Sequence, residues 1–311
     1  MINLSTNKQL NLILPSSNKA LAEAIKSASP QELQSLSQDK DLKSIMNSLL
    51  KQSSQSANSD NELLNLLKNN PTLKSLGSVS GTIKDLLNAI KSEKNPLPTE
   101  KLLNNFLVDI KDLSEPILKE KIKNSGVFLE SKLKNPTANV KEIMVNDLKA
   151  ILAQANNEIA KSDHPNKNEL LKQMDKLSLQ IDYHQLVSHL SNSTSLYVPF
   201  EWDKMKEGQI NIRKDKEDKF YVDIDLKLEE YGELNVKLSL YEENQLNIQI
   251  YSDNSEFKEL VKENIPSLRS SLIENNVTPR EIRLLDSKTP KVASPYMSDA
   301  KRINIGFEVK A

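Results

Sequence analysis

Residues 221–252 read YVDIDLKLEEYGELNVKLSLYEENQLNIQIYS, in which apolar and polar residues alternate with a period of two. Successive side chains of a strand point to opposite faces of a sheet, so this period predicts strands with one apolar face. The apolar positions fall into three runs: Val222, Ile224, Leu226 and Leu228; Leu234, Val236, Leu238 and Leu240; Leu246, Ile248 and Ile250. Polar residues such as Asp223, Asp225 and Lys227 are expected on the opposite, solvated face.

The connections around these strands carry residues typical of turns. Gly232 and Asn244 lie between the runs, where a positive φ is often required. Upstream, the charged run KDKEDK (214–219) interrupts an earlier alternation in the manner of a hairpin loop. The aromatic stretch YVPFEW (197–202) contains Pro199, which favours an edge or loop position over a central strand.

The segment that follows the third run predicts a helix that covers the apolar face. Asp253 and Glu256 form a candidate capping box at its start. Six apolar residues then make a helical stripe: Phe257, Leu260, Val261, Ile265, Leu268 and Leu272. Pro266 leaves two alternatives open, a kinked helix or a second helix with Pro in its first turn. Asn276 is expected to end the helix in the left-handed conformation, with Val277 folding back on the last turn.

Upstream of the sheet, helical apolar spacing interrupted by prolines predicts a set of separate helices. In one of them Ser114 is the expected N-cap, and four apolar residues share one face: Leu118, Ile122, Leu129 and Leu133. Gly126 lies on the same stripe, where Gly costs about 1 kcal/mol against Ala unless a neighbouring backbone comes close. We therefore expect a close helix crossing at Gly126.

These patterns divide the chain into four parts: 1–60, rich in Ser, Asn, Gln and Lys and largely disordered with short helices at most; 61–193, helical; 197–286, a small α+β domain; and 287–311, a linker and tail. Residues 281–285 (EIRLL) predict a further strand of the domain. The last alternation, INIGFEV (303–309), predicts an edge strand or a partner-binding tail. The expected fold class is α+β, with a helical N-terminal and middle region followed by an antiparallel or mixed sheet packed on a helix.

Composition disfavours several classes of protein. The 311 residues include 42 Lys and Arg against 43 Asp and Glu, a net charge of -1, so no basic field favours nucleic acid. The absence of Cys excludes disulfides and thiolate chemistry. No apolar stretch approaches the roughly 18 residues of a membrane span, so we expect no membrane insertion. The first residues lack a basic region followed by an apolar one, so we expect no cleavable secretory signal.

No constellation of residues predicts catalysis, a cofactor or a metal. On one helix His184 and His189 would lie about 140° apart at 100° per residue, which is poor for chelation. Trp202 is interpreted as a core or edge anchor and not as a ligand platform. The sequence has no Gly-x-Ser-x-Gly elbow and too few glycines for a phosphate loop. We expect no enzyme, a view that would change if His184, His189 and an acidic residue converged.

The order of these elements resembles the C-terminal domain of the flagellar hook-length control protein family. The resemblance rests on YVPFEW, on a strand start in YGELNVKLSL, on LNIQIYS, and on a helix end in IPSLRSSLIENNV. Seven residues match the strand start and helix end: Gly232, Leu234, Val236, Leu268, Arg269, Leu272 and Val277. Upstream, SGVFLESKL (125–133), DLKAIL (147–152) and IDYHQLVSHL (181–190) resemble segments that precede this domain in a bacterial branch of the family. The sequence departs from the family pattern at Glu229, Tyr231 and Asn276.

The resemblance implies a non-enzymatic function in flagellar assembly. Members of the family are exported by the flagellar type III apparatus, and their N-terminal part acts as a ruler or timer during hook growth. Their C-terminal domain contacts the cytoplasmic domain of an export-gate membrane protein and switches export from hook-type to filament-type substrates. Hook and hook-cap subunits are further expected partners. Five residues are the expected partner contacts: Gly232, Leu268, Arg269, Leu272 and Val277.

The resemblance implies a location for the protein, and the helical region leaves an alternative function open. The protein is expected in the cytoplasm before export and then outside the cell, with 1–60 as the expected export signal. A helix rises about 1.5 Å per residue against about 3.5 Å for an extended chain, so a folded middle would shorten a ruler more than twofold. The alternative is a cytoplasmic helical scaffold or export chaperone that docks partners through the C-terminal domain.

Overall fold

The computed structural model of the protein describes residues 18–28, 57–91, 99–134, 139–191, 193–202, 204–215, 219–242 and 244–286. The helices are α1 Lys19–Ser27, α2 Ala57–Asn69, α3 Pro71–Lys74, α4 Val79–Lys91, α5 Glu100–Asn104, α6 Glu115–Lys123, α7 Leu129–Lys134, α8 Val140–Asn146, α9 Leu148–Lys161, α10 Lys167–Leu190 and α11 Ser255–Glu274. The strands are β1 Thr194–Tyr197, β2 Met205–Lys214, β3 Phe220–Leu228, β4 Gly232–Tyr241, β5 Gln245–Ser252 and β6 Thr278–Leu285. The predicted α+β class is confirmed.

The sheet has the order β1-β2-β3-β4-β5-β6 and is mixed. Strands β1 to β5 form an antiparallel meander, whereas β6 returns through α11 to lie parallel to β5. The register places Leu226 opposite Leu234 and Val236 opposite Ile250, so the three predicted apolar runs share one face. The predicted hairpin between β2 and β3 is confirmed, as is the strand at 281–285.

One of the two predicted turn conformations is correct. Gly232 has a φ of +75°, as expected for the tight connection from β3 to β4. The prediction of a positive φ at Asn244 is wrong, because in the turn from β4 to β5 it is Glu242 that has a positive φ, of +46°. The carbonyl of Asn244 instead accepts the backbone N–H of Thr278 at 2.8 Å, which joins this turn to the start of β6.

Helix α11 differs from its prediction at the start and agrees with it at the end. Its N-cap is Asn254, whose side chain accepts the N–H of Phe257 at 2.8 Å, so the predicted capping box of Asp253 and Glu256 is wrong. The helix is continuous through Pro266, which excludes a second helix starting there. At its end Asn276 has a φ of +59°, and the N–H of Val277 donates to Leu272 at 2.9 Å. This is the predicted left-handed cap with its fold-back.

The core of the C-terminal domain lies on the apolar face of the sheet. Its buried residues are Val198, Leu226, Leu228, Leu234, Leu246, Ile248, Ile250 and Phe257. Phe200 and Trp202, from the segment between β1 and β2, pack on the same core and so confirm Trp202 as a core anchor. Burying an aliphatic or aromatic side chain contributes about 1.5 to 3 kcal/mol, so the loop aromatics and α11 both stabilise the sheet.

The helical region has its own core around α10, which contacts α1, α2, α4, α9 and β1. Fully buried members of this core include Leu86, Leu148, Ile159, Leu170, Leu177 and Ile181. Edge strand β1 joins the region to the sheet, because the backbone N–H of Ser195 donates to Oγ of Ser188 at 2.8 Å. The phenol of Tyr197 donates to the carbonyl of Ser125 at 3.1 Å, which makes a second link.

The predicted helix around Gly126 is wrong in one respect and right in another. Helix α6 ends at Lys123 and α7 begins at Leu129, so the apolar residues of this segment do not form one continuous stripe. Gly126 lies between the two helices with a φ of +87°. A Cβ at this position would lie 3.0 Å from the backbone N of Lys149, so the expected close backbone approach does occur. Ser114 is the N-cap residue of α6, although its side chain makes no capping hydrogen bond.

The segment 1–60 was expected to contain short helices at most. Lys19–Ser27 forms such a helix, and α2 already begins at Ala57. The prediction for 1–17 and 29–56 lies outside the described residues, as does that for 287–311 with its alternation at 303–309.

Candidate partner-binding surface

Helix α11 covers the apolar face of the sheet only in part. Phe257, Val261 and Leu272 contact the core, but Phe257 alone among the helix residues is buried. The packing partners of α11 are β5 and β6, at one side of the sheet. Of the predicted apolar stripe, Leu260 is 47% exposed and Leu268 is 36% exposed. The prediction that the whole stripe packs on the sheet is therefore wrong for these two leucines.

The two exposed leucines lie close together around the helix. Eight residues at 100° per residue separate Leu260 and Leu268 by about 80° of rotation and about 12 Å of rise. Five apolar side chains of β3 and β4 are only half-buried: Val222, Ile224, Val236, Leu238 and Leu240. We call Leu260 and Leu268 the α11 surface.

The five predicted contact residues do not form one site. Gly232 lies near the N-terminal end of α11, because the adjacent Tyr231 ring is 5.3 Å from the Phe257 ring. Leu268 is eleven residues further along the helix than Phe257, a rise of about 16 Å. Gly232 thus lies apart from the other four, with no atom near its missing Cβ.

Three of the other four residues stabilise the fold. Leu272 and Val277 contact the core of the domain and close the C-terminal cap of α11. Arg269 donates from Nη1 to the carbonyl of Pro279 at 2.9 Å, which ties α11 to the start of β6. Leu268 is the one of the five that offers exposed apolar area, and sequence periodicity alone placed it on the buried stripe.

A comparison with protein families gives a match within this domain. Residues 208–290 match the family model of the flagellar hook-length control protein FliK. The match begins inside β2 and extends past β6, so it takes in α11 and leaves out β1 and the helical region. No curated protein and no solved structure matches the chain.

The hook-length control family is regulatory and structural, not enzymatic.

Outside the matched domain, α10 carries two of the three histidines. Nδ1 of His184 lies 3.1 Å from Oγ of Ser195, with His184 8% and Ser195 1% exposed. Burial lowers the pKa of His184 to about 4. The pair links α10 to β1, and His184 also lines a cleft between the sheet and the helical region.

Burial lowers the pKa of His189, the second histidine of α10. The described residues contain no group of three His, Cys, Asp or Glu that could hold a metal. The described part of the chain likewise contains no helix long and apolar enough to cross a membrane.

The polar face of the sheet is less open than predicted. Asp225 is half-buried and accepts hydrogen bonds from Nε2 of Gln209 at 2.9 Å and from the side chain of Asn235. These residues line a cleft of about 460 Å³ between the sheet and the helical region, with Gln180 on the opposite side. The expected solvated face is thus partly covered at Asp225.

The helical region contains a buried ionic cluster that the sequence did not reveal. Nζ of Lys149 lies 2.6 Å from Oε1 of Glu130, 2.8 Å from Oδ1 of Asp182 and 3.0 Å from Oε1 of Gln185. Burial alone would lower the pKa of Lys149, but the carboxylates of Asp182 and Glu130 hold that pKa above its usual value. The cluster joins α7, α9 and α10.

Proposed function

We propose that the chain is a flagellar hook-length control protein, exported by the flagellar type III apparatus. Its C-terminal domain would bind the cytoplasmic domain of the export-gate membrane protein and switch export from hook-type to filament-type substrates. The observation that carries the proposal is the family match over β2 to β6 and α11. The exposed leucines of α11 lie within the matched residues.

The α11 surface supports a mechanism by binding. Leu260 and Leu268 present apolar side chains to solvent, and exposed apolar patches commonly mark interaction sites. A partner that buries both leucines would gain their transfer free energy without any movement of the core. A substrate switch then requires a binding event and no chemical step.

The first test deletes the coding region in a flagellated host. We expect abnormally long hooks without filaments, because the switch would not occur. Normal hooks and normal swimming would contradict the proposal.

The second test measures binding of the full chain to the purified cytoplasmic domain of the export-gate protein. Leu268→Asp would place a charge in the apolar contact and weaken binding by about tenfold or more. Ser267→Asp adds the same charge at the neighbouring exposed position and should change binding less than threefold. Equal effects of the two variants would show that the added charge, and not the loss of an apolar contact at Leu268, weakens binding.

The helical region favours a second candidate function, a cytoplasmic scaffold or export chaperone. Helices α1, α2, α4, α9 and α10 share buried cores and an internal ionic cluster, and such a region opposes the unfolding that passage through an export channel needs. Detection of the chain in culture medium from intact cells, lost on deletion of residues 1–60, would rule this candidate out. Retention in the cytoplasm would support it.

A further inference from the structure

Helix α1 is held to α10 through its first turn. The backbone N–H of Lys19 donates to Oδ2 of Asp182 at 2.7 Å. The side chain of Asn18, the N-cap of α1, accepts the N–H of Leu21 at 2.9 Å and donates to the carbonyl of Asp182 at 3.2 Å. The free N–H groups and positive dipole end of α1 thus meet a carboxylate, an arrangement that stabilises a helix start.

The other contacts of α1 are mainly apolar. Four of its side chains are at most 2% exposed: Ala20, Leu21, Ala24 and Ile25. They lie in a groove between α2 and α10, lined by Leu63, Leu64, Leu67, Leu186 and Val187. The opposite side of α1 faces solvent, and Lys19 there pairs with Asp175 at 2.5 Å. Beyond the first turn, a further polar contact of α1 is the hydrogen bond that Nδ2 of Asn70 donates to the carbonyl of Glu23 at 3.5 Å.

Asp182 has a second partner that does not depend on α1. Its Oδ1 lies 2.8 Å from Nζ of Lys149, whereas its Oδ2 accepts the Lys19 N–H. If α1 left the groove, Asp182 would keep the cation and lose one charge-assisted hydrogen bond. Departure of α1 therefore leaves no uncompensated buried charge, which is the feature that makes loss of an ion-pair partner so unfavourable.

The length of α1 also favours separation from the rest of the fold. A helix of nine residues is marginal in water on its own, so α1 owes its structure to the groove. A short helix with one face in solvent can open locally at lower free energy than the core it packs on. Leu21 and Ile25, with the groove residues, become exposed together when this happens.

We propose that α1 is a detachable latch whose docking between α2 and α10 withholds Lys19–Ser27 from the export apparatus. The withholding role rests on the proposed function above, whereas the docking equilibrium does not. The groove accepts an amphipathic helix whose first turn meets the Asp182 carboxylate, and α1 of the same chain is its occupant. An export component that takes α1 must compete with this groove.

Hydrogen exchange of the full wild-type chain tests whether α1 detaches. The amides of Leu21–Ser27 should exchange at least about tenfold faster than those of Leu177–Val187 in α10, since local opening would break the hydrogen bonds of α1 and leave those within α10 intact. Equal exchange in the two segments would mean that α1 opens only with the whole region, and would overturn the proposal.

Two matched variants test the role of the carboxylate. Asp182→Asn keeps the shape of the side chain but removes its charge from both α1 and Lys149, which keeps Glu130 as its partner. Exchange in α1 should therefore rise about tenfold more than exchange in α9, with the sheet unchanged. Asp175→Asn removes only the exposed ion pair with Lys19 and should change exchange less than threefold. An equal acceleration across α1, α9 and α10 in Asp182→Asn would assign Asp182 to the core and overturn the latch.

Secretion from flagellated cells tests the withholding role. Asp182→Asn should appear in the medium in larger amount than the wild type, and Asp175→Asn in the wild-type amount. Secretion of Asp182→Asn at or below the wild-type level would overturn the withholding role. Absence of every variant from the medium would overturn the export proposal and the withholding role with it, while the exchange rates still decide whether α1 detaches.

Discussion

Nζ of Lys149 lies 2.8 Å from Oδ1 of Asp182 inside the helical region, with the two side chains 17% and 2% exposed. Glu130 approaches the same ammonium group at 2.6 Å, so one cation faces two carboxylates. Removing one partner of a buried ion pair leaves charge without compensation and typically costs about 3 to 5 kcal/mol. The cluster is therefore expected to stabilise the packing of α7, α9 and α10, in addition to the apolar core that α9 and α10 share.

The first prediction concerns this cation. Lys149→Met should lower the free energy of unfolding by about 3 kcal/mol, because Glu130 and Asp182 would remain buried and would have to bind protons. Urea denaturation followed by circular dichroism measures the change. The triple variant Lys149→Met, Glu130→Gln, Asp182→Asn should recover much of the loss, since no charge is left unpaired.

A surface pair provides the control for this prediction. Lys119 and Glu115 form an exposed pair at 3.0 Å within α6. Lys119→Met should change stability by less than about 0.5 kcal/mol, as exposed helix pairs contribute little. A loss in Lys149→Met no larger than that in Lys119→Met would show that the buried cluster is not needed for stability.

The second prediction compares two glycines with similar backbone conformations. Gly126 and Gly232 have φ values of +87° and +75°. Ala in the left-handed region costs roughly 1 to 2 kcal/mol at either position. At Gly126 the added Cβ would also lie 3.0 Å from the backbone of Lys149, whereas Gly232 has no atom within 4 Å.

Gly126→Ala should therefore destabilise more than Gly232→Ala, by about 1 to 3 kcal/mol. Thermal and urea unfolding of the two variants measure the difference. Equal losses would mean that the surroundings of Gly126 relax without cost, and an unchanged or raised melting temperature in Gly126→Ala would contradict the close approach altogether.

The third prediction concerns the pH dependence of stability at His184. Burial lowers the pKa of His184 from 6.5 to about 4 in the folded state, so the unfolded chain binds the proton more tightly. The contribution of His184 to the free energy of unfolding is therefore fully present above pH 6.5, where the imidazole is neutral in both states. It decreases by up to about 3 kcal/mol as the pH falls towards 4. His184→Asn can keep a hydrogen bond to Ser195 but has no such proton to bind.

Urea unfolding at pH 7 and pH 4.5 provides the measurement. The wild type should lose more stability between these pH values than His184→Asn does. Asp147 and Asp182 act in the opposite direction, since burial raises the pKa of each carboxyl, and the comparison between variants cancels them. Identical pH dependence in the two proteins would contradict the assignment to His184.

The elements predicted best from the sequence were those specified by local patterns. Strands β3, β4 and β5 follow one another through short turns, and alternation fixes which residues share a face. The left-handed Asn276 was predictable because the fold-back of Val277 involves the adjacent turn of α11 alone. The predicted start of α11 differs from the observed one by one residue because Asp253 and Asn254 are both favourable N-cap residues. The hydrogen bond from Phe257 to the side chain of Asn254 identifies the N-cap.

The features missed by the sequence depend on residues far apart in the chain. Asp182 and Lys19 are separated by 163 residues, and neither the helix start nor the buried carboxylate carries a signal for the other. Leu268 falls on the apolar stripe of α11 by periodicity, yet it is 36% exposed in the folded chain. In the turn from β4 to β5 the positive φ belongs to Glu242, and the carbonyl of Asn244 accepts a hydrogen bond from Thr278 of β6.

The fourth prediction concerns the C-terminal cap of α11. Asn276 holds a φ of +59° so that the N–H of Val277 reaches the carbonyl of Leu272 and that of Asn276 reaches Ile273. Asn276→Gly should change stability by less than about 1 kcal/mol, since Gly adopts this conformation freely but loses more entropy on folding. Asn276→Val should cost about 2 kcal/mol, because a β-branched side chain clashes with its own backbone there.

The same two substitutions separate the cap from the partner contact. Unfolding by urea measures the stability of each variant, and binding to the export-gate domain is measured below the unfolding transition. Since Asn276 closes the helix without contributing to the α11 surface, both folded variants should bind as the wild type does. Weaker binding by Asn276→Gly at unchanged stability would extend the contact surface to the helix end and contradict a site limited to Leu260 and Leu268.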